Sequence, residues 1–451
     1  MIYTLKINEK RQKTVWLPSN IPITKQTQVM FGSYSEPCLL ISRLDNKNEI
    51  AITKDLAKKL KIPFSSPICV FLDEQSVHLG PLIGIFTAGF KKSTIRPIGK
   101  RTFFFAKLLT KEKEVGGFAF VFGAHHINWE MGTINGYFYT ENGWEQFEVP
   151  FPNVIYNRLP NRRTENEATF QQIKHKLKNE YLIPWFNESF FNKWEIYHLL
   201  QKHPSALSYL PETHAHPTEE IVQMLLEKYK NVYVKPANGS LGLSVYQIIQ
   251  AKDQKIYYCR YRDEYEQNRL RKFTSLSSLW SELFKQKEME RYIVQQGIPL
   301  IRYKGRQVDF RVHTNKNKNG KWQVSAIAAK AAGKGSVTTH INNGGIVKTL
   351  DEIFEHEQER CFMTEKLKEA ALTLSQCLEE KMGIAIGEIG FDIGIDQKGN
   401  IWLFEANSKP GRSIFTHPKL KKYEDLTTIL SLEYGVYLSE QMITKPEAII
   451  T

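Results

Sequence analysis

Cysteine is scarce in this chain and never clustered. Cys38, Cys69, Cys259, Cys361 and Cys377 are odd in number, far apart and without a Cys-x-x-Cys pair, which excludes a disulfide framework and a zinc knuckle and makes a reducing cytoplasm the expected compartment. Long apolar runs are missing as well. No stretch approaches the roughly 18 apolar residues of a membrane helix. Between Met1 and Trp16 the charges Lys6, Glu9, Lys10, Arg11 and Lys13 stand with no apolar core behind them, so neither a membrane partner nor a signal peptide is expected. Internal repeats and low-complexity tracts are also lacking.

What is present describes a large globular chain. Its 451 residues exceed the size at which one core stops growing, about 250–300 residues, so two or three domains are expected. Apolar residues at 41% and aromatics at 12% suffice to fill a core in each. The 61 Lys and Arg against 48 Asp and Glu leave a net charge of +13, a field that favours anionic partners without telling a nucleotide from a polymer.

Residues 1–79 read as a β-rich module, with short apolar runs such as Ile68-Cys69-Val70-Phe71-Leu72 between turns and one helix over Lys54 to Leu60 behind Thr53. Residues 80–165 read as a small α/β domain. Leu82 to Phe86 and Phe118 to Phe122 are buried-strand runs around a helix over Lys100 to Leu109, the order of a βαβ unit. Val154 to Arg158 closes it, and the polar stretch Leu159 to Ala168 is the expected linker. Residues 166–451 form a longer α/β segment that carries the chemistry.

Val232 to Val245 reads as a strand, a small polar loop and a returning strand. Gly239, Ser240 and Gly242 let backbone N–H groups close around an anion while Lys235 supplies a point charge, although a plain hairpin with a surface lysine fits the same letters. Gly387 to Asp396, a Lys398-Gly399 turn and Asn400 to Asn407 form a second hairpin. A two-residue turn there sets Asp392 across from Glu405, with Asn407 on the face of Glu405. Facing carboxylates repel, and a hard divalent ion such as Mg²⁺, shared with an amide oxygen and phosphates, reconciles them. Tyr292 to Ile298 reads as a strand whose backbone could meet an adenine edge. Asp309 and Arg311 share a face of the next strand, and Lys330 ends another. Solvated acids at a hairpin edge fit Asp392 and Glu405 taken alone, but Lys235, Arg311 and Lys330 as phosphate cations with Asp392, Glu405 and Asn407 as a metal cage make a constellation.

The order of these motifs resembles the ATP-grasp superfamily over roughly residues 190 to 415, in the branch of ribosomal-protein glutamate ligases and bacterial glutathione synthetases. Over the full length the chain is similar to the YheC/YheD family of endospore coat-associated proteins. The resemblance implies an α/β (α+β) chain in which an ATP-grasp domain follows the β-rich module and the small α/β domain. It implies an ATP-dependent carboxylate–amine ligase using Mg²⁺ as two ions, with an unknown acid and amine, spore coat proteins among the candidate partners, and a place in the cytoplasm or at the coat; the basic charge balance separately makes an acidic peptide a candidate acceptor. An ATP-binding coat-assembly protein without ligase activity, and an ATP-grasp kinase, stay open as alternatives. By the same match Lys193, in Asn192-Lys193-Trp194, and Lys235 would hold the nucleotide with Asn238, Gly239, Ser240 and Gly242. Gln295, Gln296 and Ile298 would form the adenine hinge, with Asp309 a further nucleotide contact. Arg311 and Lys330 would be the catalytic phosphate ligands, Asp392, Glu405 and Asn407 the metal ligands, and Arg412, in Ser408-Lys409-Pro410-Gly411-Arg412, a catalytic residue beside the substrate. Relatives often carry glycine at the position of Ser244 and an acid in the hinge.

His125-His126 and His214-Ala215-His216 lack a third ligand at zinc spacing and read as turn residues. The run Lys91 to Lys113 reads as a solvated face. The tyrosines interleaved with Arg260, Arg262, Arg269 and Arg271 alternate as strand residues do, so nucleic acid is not an expected partner. Thr364 to Met382 reads as a core helix, with Glu365, Glu369, Glu379 and Glu380 on its wet side.

Overall fold

The computed structural model describes residues 1–10, 12–43, 48–239, 243–251, 256–340 and 343–447. Ser240 and Gly242 of the expected phosphate loop lie outside these residues. Strands from Ile2–Asn8 to Ser76–Gly80 make an eight-stranded mixed sheet. Helix Lys54–Lys59 lies on it and ends at Leu60. Thr53 precedes that helix without capping it, because its hydroxyl oxygen accepts from Thr14 N at 3.2 Å instead.

In the second sheet Leu82–Phe86 is buried throughout and pairs in parallel with Phe118–Phe122 on one side and Val154–Asn157 on the other. Helix Thr102–Leu109 occupies the crossover, so the βαβ order holds, with Gly99–Arg101 winding as a 3-10 turn ahead of it. One buried cluster runs through both sheets, from Leu5 and Ile52 to Phe86, Phe120 and Trp185. Arg101 departs from the solvated reading of its basic run. Burial pushes its guanidinium down to about 10, and it donates to Thr87 Oγ1 at 2.8 Å and to the carbonyls of Arg158 and Ala88.

The stretch 159–168 is a built segment rather than a loose one. Arg162–Glu165 forms a helical turn capped by Asn161, whose Oδ1 accepts from Thr164 N at 2.9 Å. Glu165 is buried and accepts from Lys409 Nζ at 2.6 Å and Phe190 N at 2.9 Å, which ties the segment to the far end of the chain.

The third sheet runs antiparallel through Thr213–Ala215, Tyr292–Gln296, Asn231–Pro236, Tyr246–Gln250, Tyr257–Arg262 and Asn268–Phe273. Tyr261 stacks on Tyr246 with centroids 5.4 Å apart, which accounts for the tyrosine spacing by strand packing. The fourth sheet orders Ile346–Lys348, Trp322–Ala331, Arg306–Lys316, Glu388–Ile395 and Ile401–Asn407. Helix Glu357–Met382 covers it with Leu367, Ala371, Leu374 and Leu378 and starts earlier than its apolar stripe suggests. Glu379 keeps to the wet side assigned to it, its side chain 36% exposed, while accepting from Lys316 and from Trp322 Nε1 at 2.7 Å. Helix Lys421–Thr444 then returns to the second sheet, where Leu432, Tyr434 and Leu438 join Ile83, Phe105 and Tyr156. Among the described residues no helix is long and apolar enough to cross a membrane.

Candidate active site

The third and fourth sheets face a shared cavity of about 800 Å³, within the range of small-molecule sites. Strand alternation explains what lines it. Residues directly opposite one another on paired strands share a face, and the pairings Asp309 with Lys330, Arg311 with Asp392 and Asp392 with Glu405 place five charged side chains on one face of the fourth sheet.

The last of these pairings arises by a different route from the expected one. The turn is one residue longer, since Asp396 N donates to Asn400 O and Gly399, at φ +81°, closes the bend. Alone, that shift would set Phe404 across from Asp392. A bulge restores the register: Leu403 pairs with Ile393 and Glu405 with Asp392, leaving Phe404 as the extra residue.

The cations are already engaged. Arg311 donates from Nε and Nη2 to the two oxygens of Asp392, both at 3.0 Å, and Lys330 Nζ lies 2.7 Å from Asp392 and 3.1 Å from Asp309. Burial alone would raise the Asp392 carboxyl, but Arg311 and Lys330 reverse this and hold it well below the usual carboxylate range. Asp309 moves the other way, raised by burial despite Lys330, and Thr339 donates to it. Lys235 is enclosed, donating to Gln295 Oε1 at 2.8 Å and Phe404 O at 3.2 Å. Burial, reinforced by Lys193, pushes it down to about 8 against the pull of Glu405 and Asp392. Lys193 begins the helix Lys193–Leu200 behind its cap Asn192, donates to Gly239 O at 2.6 Å and stands 3.4 Å from Glu405.

The donor set suits Mg²⁺. Asp392 and Glu405 offer carboxylates from facing positions, and Asn407, whose amide nitrogen donates to Gly390 O at 3.4 Å, offers an amide oxygen on the same wall.

Asn238, Gly239, Gln296 and Ile298 also line the cavity, as does His340. The two glutamines of the expected hinge are tied inside the protein. Gln295 Nε2 donates to Thr213 Oγ1 at 3.0 Å, and Gln296 Oε1 accepts from Glu212 N at 3.2 Å.

Arg412 is the exception. It lies outside the cavity lining, buried beneath it, where it donates to Thr427 Oγ1 and stands 3.7 Å from Glu388. The structure thus places its side chain away from the cavity wall, where a residue beside the substrate was expected. The loop turns its side chain inward, because Glu388, which also accepts from Tyr156 and Arg158, needs cations around it.

Arg162, Arg163 and Glu165, in a stretch whose composition reads as a linker, also belong to this region, as do Phe190 and Lys409, the ion-pair partner of Glu165. The available signal was Asn161 three residues before Thr164, a cap that marks ordered structure inside the supposed linker.

The family model described as "YheC/D like ATP-grasp" matches residues 182–438. The chain is 44% identical to the endospore coat-associated protein YheD of Bacillus subtilis (strain 168), over 99% of this chain and 98% of that protein. It is 24% identical to YheC of the same organism, over 66% and 81%. Among solved structures, D-cycloserine synthetase DcsG is similar at 12% identity and TM-score 0.46, covering 79% of this chain and 99% of that one. The VanG D-Ala:D-Ser ligase from Enterococcus faecalis is similar at 13% identity and TM-score 0.45, with the same coverage. With its family match spanning the two sheets that enclose the cavity, and a relative alike from end to end, this chain belongs to the YheC/D-like ATP-grasp family.

Proposed function

We propose that the chain is an ATP- and Mg²⁺-dependent ligase that activates a carboxylate as an acyl phosphate for attack by an amine, and that it works in building the spore coat, as its relatives' names suggest. In this reading residues 166–451 form the ATP-grasp domain, preceded by modules over 1–79 and 80–165. The observation that carries it is the opposition of Asp392 and Glu405 on neighbouring strands, with Lys193, Lys235, Arg311 and Lys330 lining the same cavity.

Magnesium, as two ions held by Asp392, Glu405 and Asn407, would draw charge from the phosphate oxygens. The chain supplies the rest. Lys193 and Lys235 fix the triphosphate from one side, and Arg311 and Lys330 meet the charge that builds on the transferred phosphoryl group from the other. A carboxylate oxygen attacks the γ-phosphorus and ADP leaves. An amine then attacks the acyl carbon, loses a proton, and phosphate departs. Positioning and charge neutralisation do this work, so the site needs no separate nucleophile.

The test is to give the purified full-length protein MgATP and a cell extract and to look for ADP together with a mass-shifted amide product. Glu405→Gln is expected to lose ADP release while keeping its melting temperature, and unchanged turnover in that variant would remove the metal argument. Binding of MgATP without any ADP would favour the coat-assembly reading, which the relatives' names equally fit, and a phosphorylated product would favour a kinase.

A further inference from the structure

The cavity continues past the metal acids to a second end. Pro160, Arg162, Arg163, Phe190, Lys409 and Ser413 line it, residues drawn from the segments on either side of Trp185–Phe186, the edge strand of the second sheet, and from the loop after Asn407. Lys409 follows Asn407 by two residues, a step of at most about 7 Å along the chain, so this end adjoins the place where a phosphoryl group would be transferred.

Its charges are unbalanced. At the phosphate end Arg311 and Lys330 share Asp392, and Lys193 stands beside Glu405. At the second end Lys409 is matched by Glu165. Arg162 and Arg163 have no carboxylate within ion-pair distance among the described residues. Arg162 is held by a bond to Phe191 O at 2.6 Å and lies over the Phe190 ring, 5.3 Å from its centroid. Lys409 Nζ lies 4.3 Å from the same centroid, so Phe190 fixes two cations at the cavity wall. The Arg163 side chain is exposed and makes no hydrogen bond or ion pair among the described residues, while its position still lines the cavity. A carboxylate bound there would meet a guanidinium whose five donors are open to it.

We infer that the acid substrate carries a second anionic group besides the carboxylate that reacts, and that Arg163, with Arg162 beside it, receives that group. This rests on the ligase reading above and narrows the acceptor to a di-acid or an acidic peptide.

The experiment uses the full-length protein saturated with MgADP and titrates in Glu-Glu-Glu, Gln-Gln-Gln and glutarate by calorimetry. Binding of Glu-Glu-Glu at least tenfold tighter than Gln-Gln-Gln is expected. Arg163→Gln should weaken it about tenfold, with Arg163→Lys recovering part of the loss and melting temperatures unchanged in both. Glutarate binding as well as the tripeptide indicates a free di-acid, and tripeptide binding alone indicates a peptide. Equal affinity for the charged and neutral peptides, or no effect of Arg163→Gln, overturns the inference. A protein that binds no MgADP at all instead overturns the nucleotide reading beneath it.

Discussion

Arg311 and Asp392 are register partners on adjacent strands, and the guanidinium grips the carboxylate through two parallel hydrogen bonds of 3.0 Å. Lys330 completes the group at 2.7 Å. Asp392→Asn would strip Arg311 of its carboxylate and leave Lys330 only Asp309, a loss of about 3–5 kcal/mol by analogy with other broken buried pairs. The carboxyl is held below its ordinary value, so its contribution is complete above pH ~4 and fades as the pH falls through the folded value. Urea midpoints measured from pH 3 to 7 should therefore show a shallower acid limb in the variant. Calorimetry should also show MgADP binding no better than ADP in chelator. Wild-type stability and Mg²⁺ dependence in Asp392→Asn would contradict both expectations.

Lys235 predicts a proton taken up on binding. With its ammonium pushed down to about 8 by burial, the free protein at pH 8.5 holds much of it neutral. Phosphate oxygens arriving beside it favour the charged form. MgADP binding at pH 8.5 should then give heats that change with the ionisation enthalpy of the buffer, and at pH 6.5 heats that do not. Lys235→Arg removes the effect because arginine stays charged. Gln295→Glu should remove it too, by setting a carboxylate where Gln295 Oε1 now lies 2.8 Å from Nζ. The same depression makes folding more favourable as the pH rises from about 8 towards the ordinary ~10.4. Buffer-independent heats in the unaltered protein at pH 8.5 would end this account.

Glu165 and Lys409 join the segment before the third sheet to the loop after the metal residues, with side chains 7% and 3% exposed. Burial pushes Lys409 down to about 8 against the opposing pull of Glu165. Glu165→Gln strands the cation and should lower stability by about 3–5 kcal/mol. The double variant Glu165→Gln, Lys409→Met removes the stranded charge and should recover most of that loss. Urea denaturation of the two variants decides the matter, and additive losses would show that the pair is not coupled.

Strands of five to eight residues were legible in the sequence, and so was the shared face of Asp309 and Arg311, because a two-residue period fixes which side chains share a face; the pairings that set Lys330 and Asp392 beside them join distant strands and were not. The opposition of Asp392 and Glu405 was legible for an incomplete reason, since the longer turn and the bulge at Phe404 offset each other and a bulge leaves no mark in composition. Helix Lys421–Thr444 offered no apolar stripe to read. It buries Thr427, Thr428, Ser431 and Ser439, whose hydroxyls bond back to carbonyls of their own helix, such as Ser431 Oγ to Thr427 O at 3.0 Å. The inward placement of Arg412 was not legible, because it stands beside Glu388, a strand residue whose burial no local pattern announces.

Glu112 opens the helical turn Glu112–Val115, is buried, and accepts from Ala119 N at 2.8 Å. Burial pushes its carboxyl up to about 8, against the hydrogen bond from Ala119 and the charge of Lys113. Between the ordinary glutamate value of ~4.3 and about 8 the unfolded chain ionises while the folded protein does not, so this residue makes stability fall as the pH rises through that window. Glu112→Gln keeps an acceptor for Ala119 and carries no charge at any pH. It should be more stable than the unaltered protein by about 4–5 kcal/mol at pH 8 and equal to it near pH 4. Urea midpoints at the two pH values measure the difference, and parallel curves would mean that Glu112 stays ionised in the fold.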